Sequence, residues 1–356
     1  MKKIIVVSLL IVAAVFFVSQ MPMSSGGLIS PLGKKAEQSF FQKLIDRKVF
    51  SDHKHRVGAE VVDWARGNGS LHELVDTPSY IVIDKDGEVV YAKDPDSQQS
   101  PASLTKLVTA MVVLDLVEGR EAFKVPEDAV GLEPTILMVD EGETLPVEDL
   151  LEAALITSAN DAADVLAHGV AKELGGSRGL FVMLMNEKVK NMGLTKTHFA
   201  NSTGYDDPNQ VSTARELAKI AYYAMENYPE ITEIVSMEES TIKETKEHKY
   251  YELPNWNALL GVYPGVDGVK IGYTGEAGYV TIVTSEREGE RFMVVLLGAP
   301  DRRARDLWAV ELLNSAFQDM SIKPFQVSLW MLKQREQEWG EQLQRAQENT
   351  NPWEGN

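Results

Sequence analysis

A chain of 356 residues is long enough for one large domain or two small ones with a substantial core. Its 44% hydrophobic and 25% charged residues are those of an ordinary soluble globular protein, while a net charge of -18 argues against nucleic acid, which requires a basic face, and disfavours tight adhesion to anionic lipid. The absence of cysteine excludes disulfides, thiolate nucleophiles and Cys-ligated zinc.

Lys2 and Lys3 precede an apolar run from Ile4 to Val18, the charged start and apolar core of an export signal. No clean small-x-small cleavage site follows. Met21-Pro22-Met23 carries the apolar character on towards the roughly 20 residues of a spanning helix. Residues 1–23 therefore read as either a removed signal peptide or an N-terminal membrane anchor through residues 4–23. Residues 24–33 are rich in Ser, Gly and Pro and read as a linker. Residues 34–75 hold short amphipathic segments, such as Ala36 to Lys48, and a turn at Arg66-Gly67-Asn68-Gly69.

Two β-branched runs, Ser79 to Ile83 and Glu88 to Tyr91, flank Asp84-Lys85-Asp86-Gly87 and predict a hairpin. A helix is predicted from Ser103 to Val117, with Leu104, Leu107, Val108, Met111, Val112 and Asp115 marking its inward face. Val147 to Glu173 is largely helical, but Thr157 to Asp161 interrupts it with residues that favour caps and turns. Leu180 to Met192 and Thr213 to Glu226 are helical, the second opening on Thr213 and Glu216 at capping-box spacing. Strands are predicted at Val266 to Tyr273, Tyr279 to Thr284 and Phe292 to Leu297, then a helix from Arg303 to Phe317. Strands at both ends with helices between predict an α+β fold. The first hairpin would pair with the last strands, and a mostly helical lobe would be inserted. Beyond it, Phe325 to Leu329 alternates like a strand, Lys333 to Gln347 is a polar helix, and Asn349 to Asn356 reads as disordered. Trp330, Trp339 and Trp353 read as a tail packed on the domain or frayed rather than a membrane contact, because the segment lacks a lysine-rich face.

Three short motifs carry chemistry. Ser103 and Lys106 are three residues apart, on one helix face. A serine hydroxyl needs a neighbour to take its proton, and a lysine serves if burial and other cations lower its pKa. A helix N-terminus favours negative charge developing at the serine. Taken alone, the pair is more often a capping serine and a surface lysine. Ser158-Ala159-Asn160 adds a hydroxyl able to relay a proton and an amide able to orient a carbonyl, although alone it reads as a helix cap. Lys270, in a strand beside glycines, would hold a carboxylate, and Gly272 leaves room for an extended peptide along the strand edge.

The order and context of these motifs resemble those of the D-Ala-D-Ala carboxypeptidases, low-molecular-mass penicillin-binding proteins related to the serine β-lactamases. The resemblance runs through Pro101 to Ala110 (PASLTKLVTA), Gly142 to Ala163, Phe181 to Gly204, Ser212 to Leu217 and Gly265 to Tyr279 (GVDGVKIGYTGEAGY). It implies a DD-peptidase/β-lactamase-like fold, an antiparallel sheet covered by helices, with the catalytic domain at 76–320 and a tail at 321–356. Ser103 would be the acylated nucleophile, Lys106 its base and Ser158 a proton relay. Asn160 would bind the substrate backbone and Lys270 its terminal carboxylate. The backbone N–H groups of Ser103 and Tyr273 would form the oxyanion hole. Substrates would be peptidoglycan stem peptides, with β-lactams as covalent inhibitors. No metal and no cofactor is implied. The location would be the extracytoplasmic face of the bacterial cell membrane or the cell wall.

Two departures stand out. The family's third motif is Lys-Thr-Gly or Lys-Ser-Gly, and here it is Lys270-Ile271-Gly272. The missing hydroxyl would cost on the order of 1.5–3 kcal/mol of carboxylate binding. Thr274 would not replace it, since strand alternation places it on the opposite face from Ile271. Many relatives also carry a β-rich C-terminal domain and anchoring helix, for which the chain after Met320 is too short, so anchoring would fall to residues 4–23. A DD-endopeptidase on the same scaffold remains open, as does a degenerate wall-peptide-binding homologue. A β-lactamase is disfavoured by Ser-Ala-Asn where Ser-Asp-Asn is expected. A zinc peptidase is disfavoured because no His-Glu-x-x-His occurs.

Overall fold

The structure, a computed structural model, describes residues 75–117, 121–133 and 135–350. The apolar run 4–18, the linker, the segments of 34–74 and residues 351–356 lie outside it. No helix among the described residues is long and apolar enough to cross a membrane.

Five antiparallel strands form the central sheet, in the order β2-β1-β9-β8-β7. They are β1 (Ser79–Asp84), β2 (Val89–Lys93), β7 (Val266–Thr274), β8 (Gly278–Arg287) and β9 (Glu290–Ala299). As expected, the first hairpin joins the last strands, with Ile81 facing Val295 and Val82 facing Val294. The hairpin closes through Gly87 N–H donating to Asp84 O at 3.1 Å. Both faces of the sheet are buried, so strands such as β9 read as continuous apolar runs. Alternation sends Ile81, Ile83 and Val295 into one core and Tyr80, Val82 and Val294 into the other.

The first core is roofed by the helical lobe: α1 (Lys106–Leu116), α2 (Val147–Leu155), α3 (Asn160–Glu173), α4 (Arg178–Asn191), α5 (Ala214–Asn227) and α6 (Pro229–Ser236). Thr213 caps α5 by accepting from Glu216 N–H at 3.1 Å. The Glu216 carboxylate does not complete a reciprocal box. It accepts from the N–H of Thr195 and Lys196 and from Thr197 Oγ1, tying the lobe's loop to the helix. Deep in the lobe, Lys188 Nζ meets Asp115 Oδ2 at 2.7 Å, Tyr228 OH donates to Asp115 Oδ1 at 2.7 Å, and the lysine also contacts the phenol. Burial pushes the Lys188 pKa down while Asp115 pulls it up.

The second core is covered by α7 (Arg302–Asp319), which Asp301 caps by accepting from Ala304 N–H at 2.8 Å, and by Leu332 and Trp339 of α8 (Leu329–Thr350). Helix α8 thus includes Asn349 and Thr350, at the start of the stretch that the sequence reads as disordered. Phe325 to Leu329, expected as a strand, is not one. Residues 325–328 form an irregular strap, with Phe325 and Val327 packed on the second core, and Leu329 opens α8. Asn314 takes its backbone groups, accepting from Phe325 N–H and donating to Phe325 O, both at 2.9 Å. Two short ribbons, β3 (Ala122–Lys124) with β4 (Thr144–Pro146) and β5 (Glu239–Ile242) with β6 (Tyr251–Pro254), and helix α6 carry no expectation from the sequence.

Candidate active site

Ser103 lies in a 3-10 turn, Ala102–Thr105, that runs directly into α1. Three residues per turn stack positions i and i+3, and Lys106 Nζ donates to Ser103 Oγ at 2.9 Å. The same nitrogen reaches Asn160 Oδ1 at 2.7 Å and Thr203 O at 2.6 Å. Lys106 is 0% exposed. Burial, then the charge of Lys270, lower its pKa well below that of an ordinary lysine, against a pull from Asp161.

The carbonyl of Thr203 is held in place by a compact loop. Asn201 Oδ1 accepts from the N–H groups of Gly204 at 2.8 Å and Tyr205 at 3.1 Å. Gly204 has φ +95, and a Cβ there would lie 2.0 Å from Ala102 O. Only glycine lets this loop close on the 3-10 turn.

Ser158 sits between α2 and α3, in the break that Thr157, Ser158 and Asn160 predict. Its φ is 64, in the left-handed region uncommon for side chains larger than glycine. Ala102, beside the nucleophile candidate, is also left-handed at φ 47. Ser103, Ser158, Asn160, Gly272 and Tyr273 border one cavity of about 320 Å³. Within it, Asn160 bonds to Lys106, whereas Ser158 makes no hydrogen bond to either lysine.

Lys270, on β7, does not border the cavity. It is 2% exposed, and its Nζ donates to Ile271 O at 3.1 Å. Burial, then the neighbouring Arg305 guanidinium, lower its pKa to about 7. Gly272 allows β7 to approach the 3-10 turn, since a Cβ there would lie 2.8 Å from Ser103 N and 3.1 Å from Ala102 Cβ. Tyr273 is half exposed at the rim and pairs with Tyr279, ring centroids 4.4 Å apart.

Ile271 and Thr274, expected on opposite faces of β7, both border the cavity. The cavity reaches residues that point to both faces of β7. Thr274 Oγ1 accepts from Ala277 N–H at 3.1 Å.

The sequence pattern of the D-alanyl-D-alanine carboxypeptidase family matches residues 69–301, which span every element of this site except the start of α7. The chain belongs to that family. It is 31% identical over 268 residues to the D-alanyl-D-alanine carboxypeptidase DacF of Bacillus subtilis, covering 74% of this chain and 67% of the relative. It is 33% identical over 257 residues to DacC of Escherichia coli, covering 68% of this chain and 62% of the relative. The chain thus spans about two thirds or less of the length of these relatives. Its fold matches penicillin-binding protein D2 of Listeria monocytogenes in an ampicillin-bound form, with a TM-score of 0.60 and 30% identity over 69% of this chain and 99% of that one. The antiparallel sheet clothed in helices is the DD-peptidase fold expected from the sequence.

Several residues of this cavity escape sequence reasoning. Arg302 and Arg305 reach the cavity from the first turn of α7. Arg305 is buried, its Nε donates to Asp306 Oδ1 at 2.7 Å, and one terminal nitrogen has no hydrogen-bond partner. Trp256, after β6, forms part of the wall, and its indole N–H donates to Thr157 O at 2.9 Å and Thr157 Oγ1 at 3.0 Å. The one available signal was the Arg302-Arg303-Ala304-Arg305 run at the predicted start of a helix, where cations are unfavourable.

Proposed function

We propose that this protein is a serine D-Ala-D-Ala carboxypeptidase acting on peptidoglycan stem peptides and acylated by penicillins. The observation that carries the reading is the buried Lys106 amine, with its lowered pKa, 2.9 Å from Ser103 Oγ. Neutral Lys106 takes the Ser103 proton as Oγ attacks the penultimate carbonyl. The N–H groups of Ser103 and Tyr273 face the developing oxyanion, and the approach of Gly272 to Ser103 N supports that placement. Ser158 relays the proton to the departing D-Ala nitrogen. Asn160 orients the substrate backbone. Water then attacks the Ser103 ester and releases the shortened peptide. Lys270, with Arg305 behind it and Arg302 at the cavity, supplies the positive field for the terminal carboxylate.

A second reading, a DD-endopeptidase on the same scaffold, draws support from Ile271. Its apolar side chain borders the cavity where the family has a hydroxyl, so the hold on a terminal carboxylate, which a carboxypeptidase needs, lacks one hydrogen bond. Residues 1–23 export the chain and, if uncleaved, hold it at the outer face of the cell membrane. The paired lysines and apolar run from Ile4 to Val18 support this.

The test is release of D-Ala from a diacylated Lys-D-Ala-D-Ala peptide by the full chain, with Ser103→Ala as control. Release that disappears in the control is expected. Cleavage of a cross-linked dimer without D-Ala release would move the assignment to the endopeptidase. Alkaline extraction of membranes tests the anchor: recovery of the chain in the soluble fraction would rule it out.

A further inference from the structure

Helix α8 lies behind two walls of the catalytic cavity. Trp339, 2% exposed, packs edge-on against Trp256, with ring centroids 5.2 Å apart and planes at 79°. Trp256 forms cavity wall on one side, and its N–H grips both the carbonyl and the hydroxyl of Thr157. Thr157 in turn precedes Ser158, whose left-handed backbone must be held by its surroundings. A direct line of contact therefore runs from α8 to the site: Trp339, Trp256, Thr157, Ser158.

The same helix reaches the cationic corner. Glu336 lies 3.9 Å from Arg302, which borders the cavity, and 3.6 Å from Arg303. Other α8 contacts seat the helix on the β5–β6 ribbon. Arg335 pairs with Glu238 at 2.9 Å, and Gln342 hydrogen-bonds Glu239. The buried indole N–H of Trp339 has no hydrogen-bond partner, so its hold on Trp256 is ring packing alone.

We propose that α8 is a positioning element of the active site, with Trp339 acting through Trp256 on the Thr157–Ser158 segment and Glu336 acting through Arg302 on the carboxylate corner. Trp339 and Glu336 are positioning residues. They touch neither substrate nor the reacting atoms. The inference rests on the serine DD-peptidase reading above, in which Ser158 carries a proton during acylation.

The experiment measures acylation of the full chain by a fluorescent penicillin and D-Ala release from the diacyl peptide. Rates are expressed per titrated active site, well below the melting temperature. Trp339→Ala is expected to slow acylation by about tenfold or more through misplacement of the Ser158 segment. Trp339→Phe should recover most of that loss, because it keeps an aromatic ring against Trp256 while giving up the five-membered ring with its unpartnered N–H. Glu336→Gln should change KM for the carboxylate-bearing peptide with little change in kcat. If Trp339→Ala does not fold, Trp339→Leu replaces it, with the same expected slowing. A Trp339 variant that melts earlier but acylates at the wild-type rate per site would overturn the proposal, leaving α8 as packing only. A wild-type chain that neither acylates nor releases D-Ala would defeat the functional reading instead, so the two failures are distinguishable.

Discussion

In the proposed mechanism the two lysines behind Ser103 need opposite charge states. Lys270 remains charged and pushes on its neighbour, so Lys106 gives up the first proton of the pair. Lys270, with its pKa lowered to about 7, loses the second as pH rises through that value. Below it, Lys270 is a cation and attracts a carboxylate; above it, the attraction is lost. For the free enzyme, kcat/KM on a carboxylate-terminated peptide should therefore fall above about pH 7. Lys270→Arg should push that falling limb to far higher pH, because a guanidinium keeps its proton. A pH profile with the same limb in both proteins would refute the assignment. Ile271→Thr restores a hydroxyl at the cavity, and kcat/KM should rise by roughly 10–200-fold if the hydroxyl bonds the carboxylate. Steady-state kinetics on the diacyl peptide read this directly. At this scale the sequence was legible where chemistry is written in spacing: Ser103, Lys106 and Asn160 meet as a hydrogen-bonded cluster. It was not legible where the partner is a backbone carbonyl, as with Thr203, or a single residue on a distant element, as with Trp256 and Arg305.

Two glycines separate folding from catalysis among the elements. Gly272 lies on β7 against the 3-10 turn, and Gly204 lies in the loop above it. Gly272→Ala would thrust a methyl group to within 2.8 Å of Ser103 N, the proposed oxyanion donor. It should lower acylation by about 10²-fold, the usual cost of spoiling such a donor, while the two-sided sheet keeps the molecule folded. Gly204→Ala adds a left-handed backbone penalty to a backbone collision and should lower the melting temperature as well as activity. Thermal melts beside acylation rates separate the two; equal losses of stability would count against this division. The long elements were readable because periodicity over ten or more residues is a strong signal. Ribbons β3–β4 and β5–β6, with three or four residues per strand, give period two nothing to build on. The strap at residues 325–328 shows the converse: a chain laid on a core alternates like a strand but hydrogen-bonds a side chain, Asn314.

The helical lobe encloses a buried ion pair. Lys188 and Asp115 are each nearly inaccessible and share Tyr228. Removing one partner leaves the other charged in apolar surroundings, so Asp115→Ala should destabilise by about 3–5 kcal/mol. Asp115→Leu with Lys188→Met should cost less than either change alone, since neither charge then remains. Urea denaturation of the two single variants and the double variant gives the coupling, and simple additivity would show that the pair contributes no specific interaction. Since α1 carries both Lys106 and Asp115, a shift of this lobe would reach the site through one rigid helix.

Strand β7 ends the sheet order, and among the described residues no strand lies beyond it. An open edge is a hazard, because any extended chain can dock there, including another copy of the same protein. Here the edge is bounded. Near its start, Val235 of α6 stands close against Gly268, and further along the 3-10 turn closes on Gly272. What stays open is a berth a few residues long, ending at the exposed ring of Tyr273. In the carboxypeptidase reading a short peptide tail would fit such a berth, while α6 and the 3-10 turn would obstruct a full strand from a neighbouring molecule, so the features that would frame a substrate would also guard the edge against pairing with another copy.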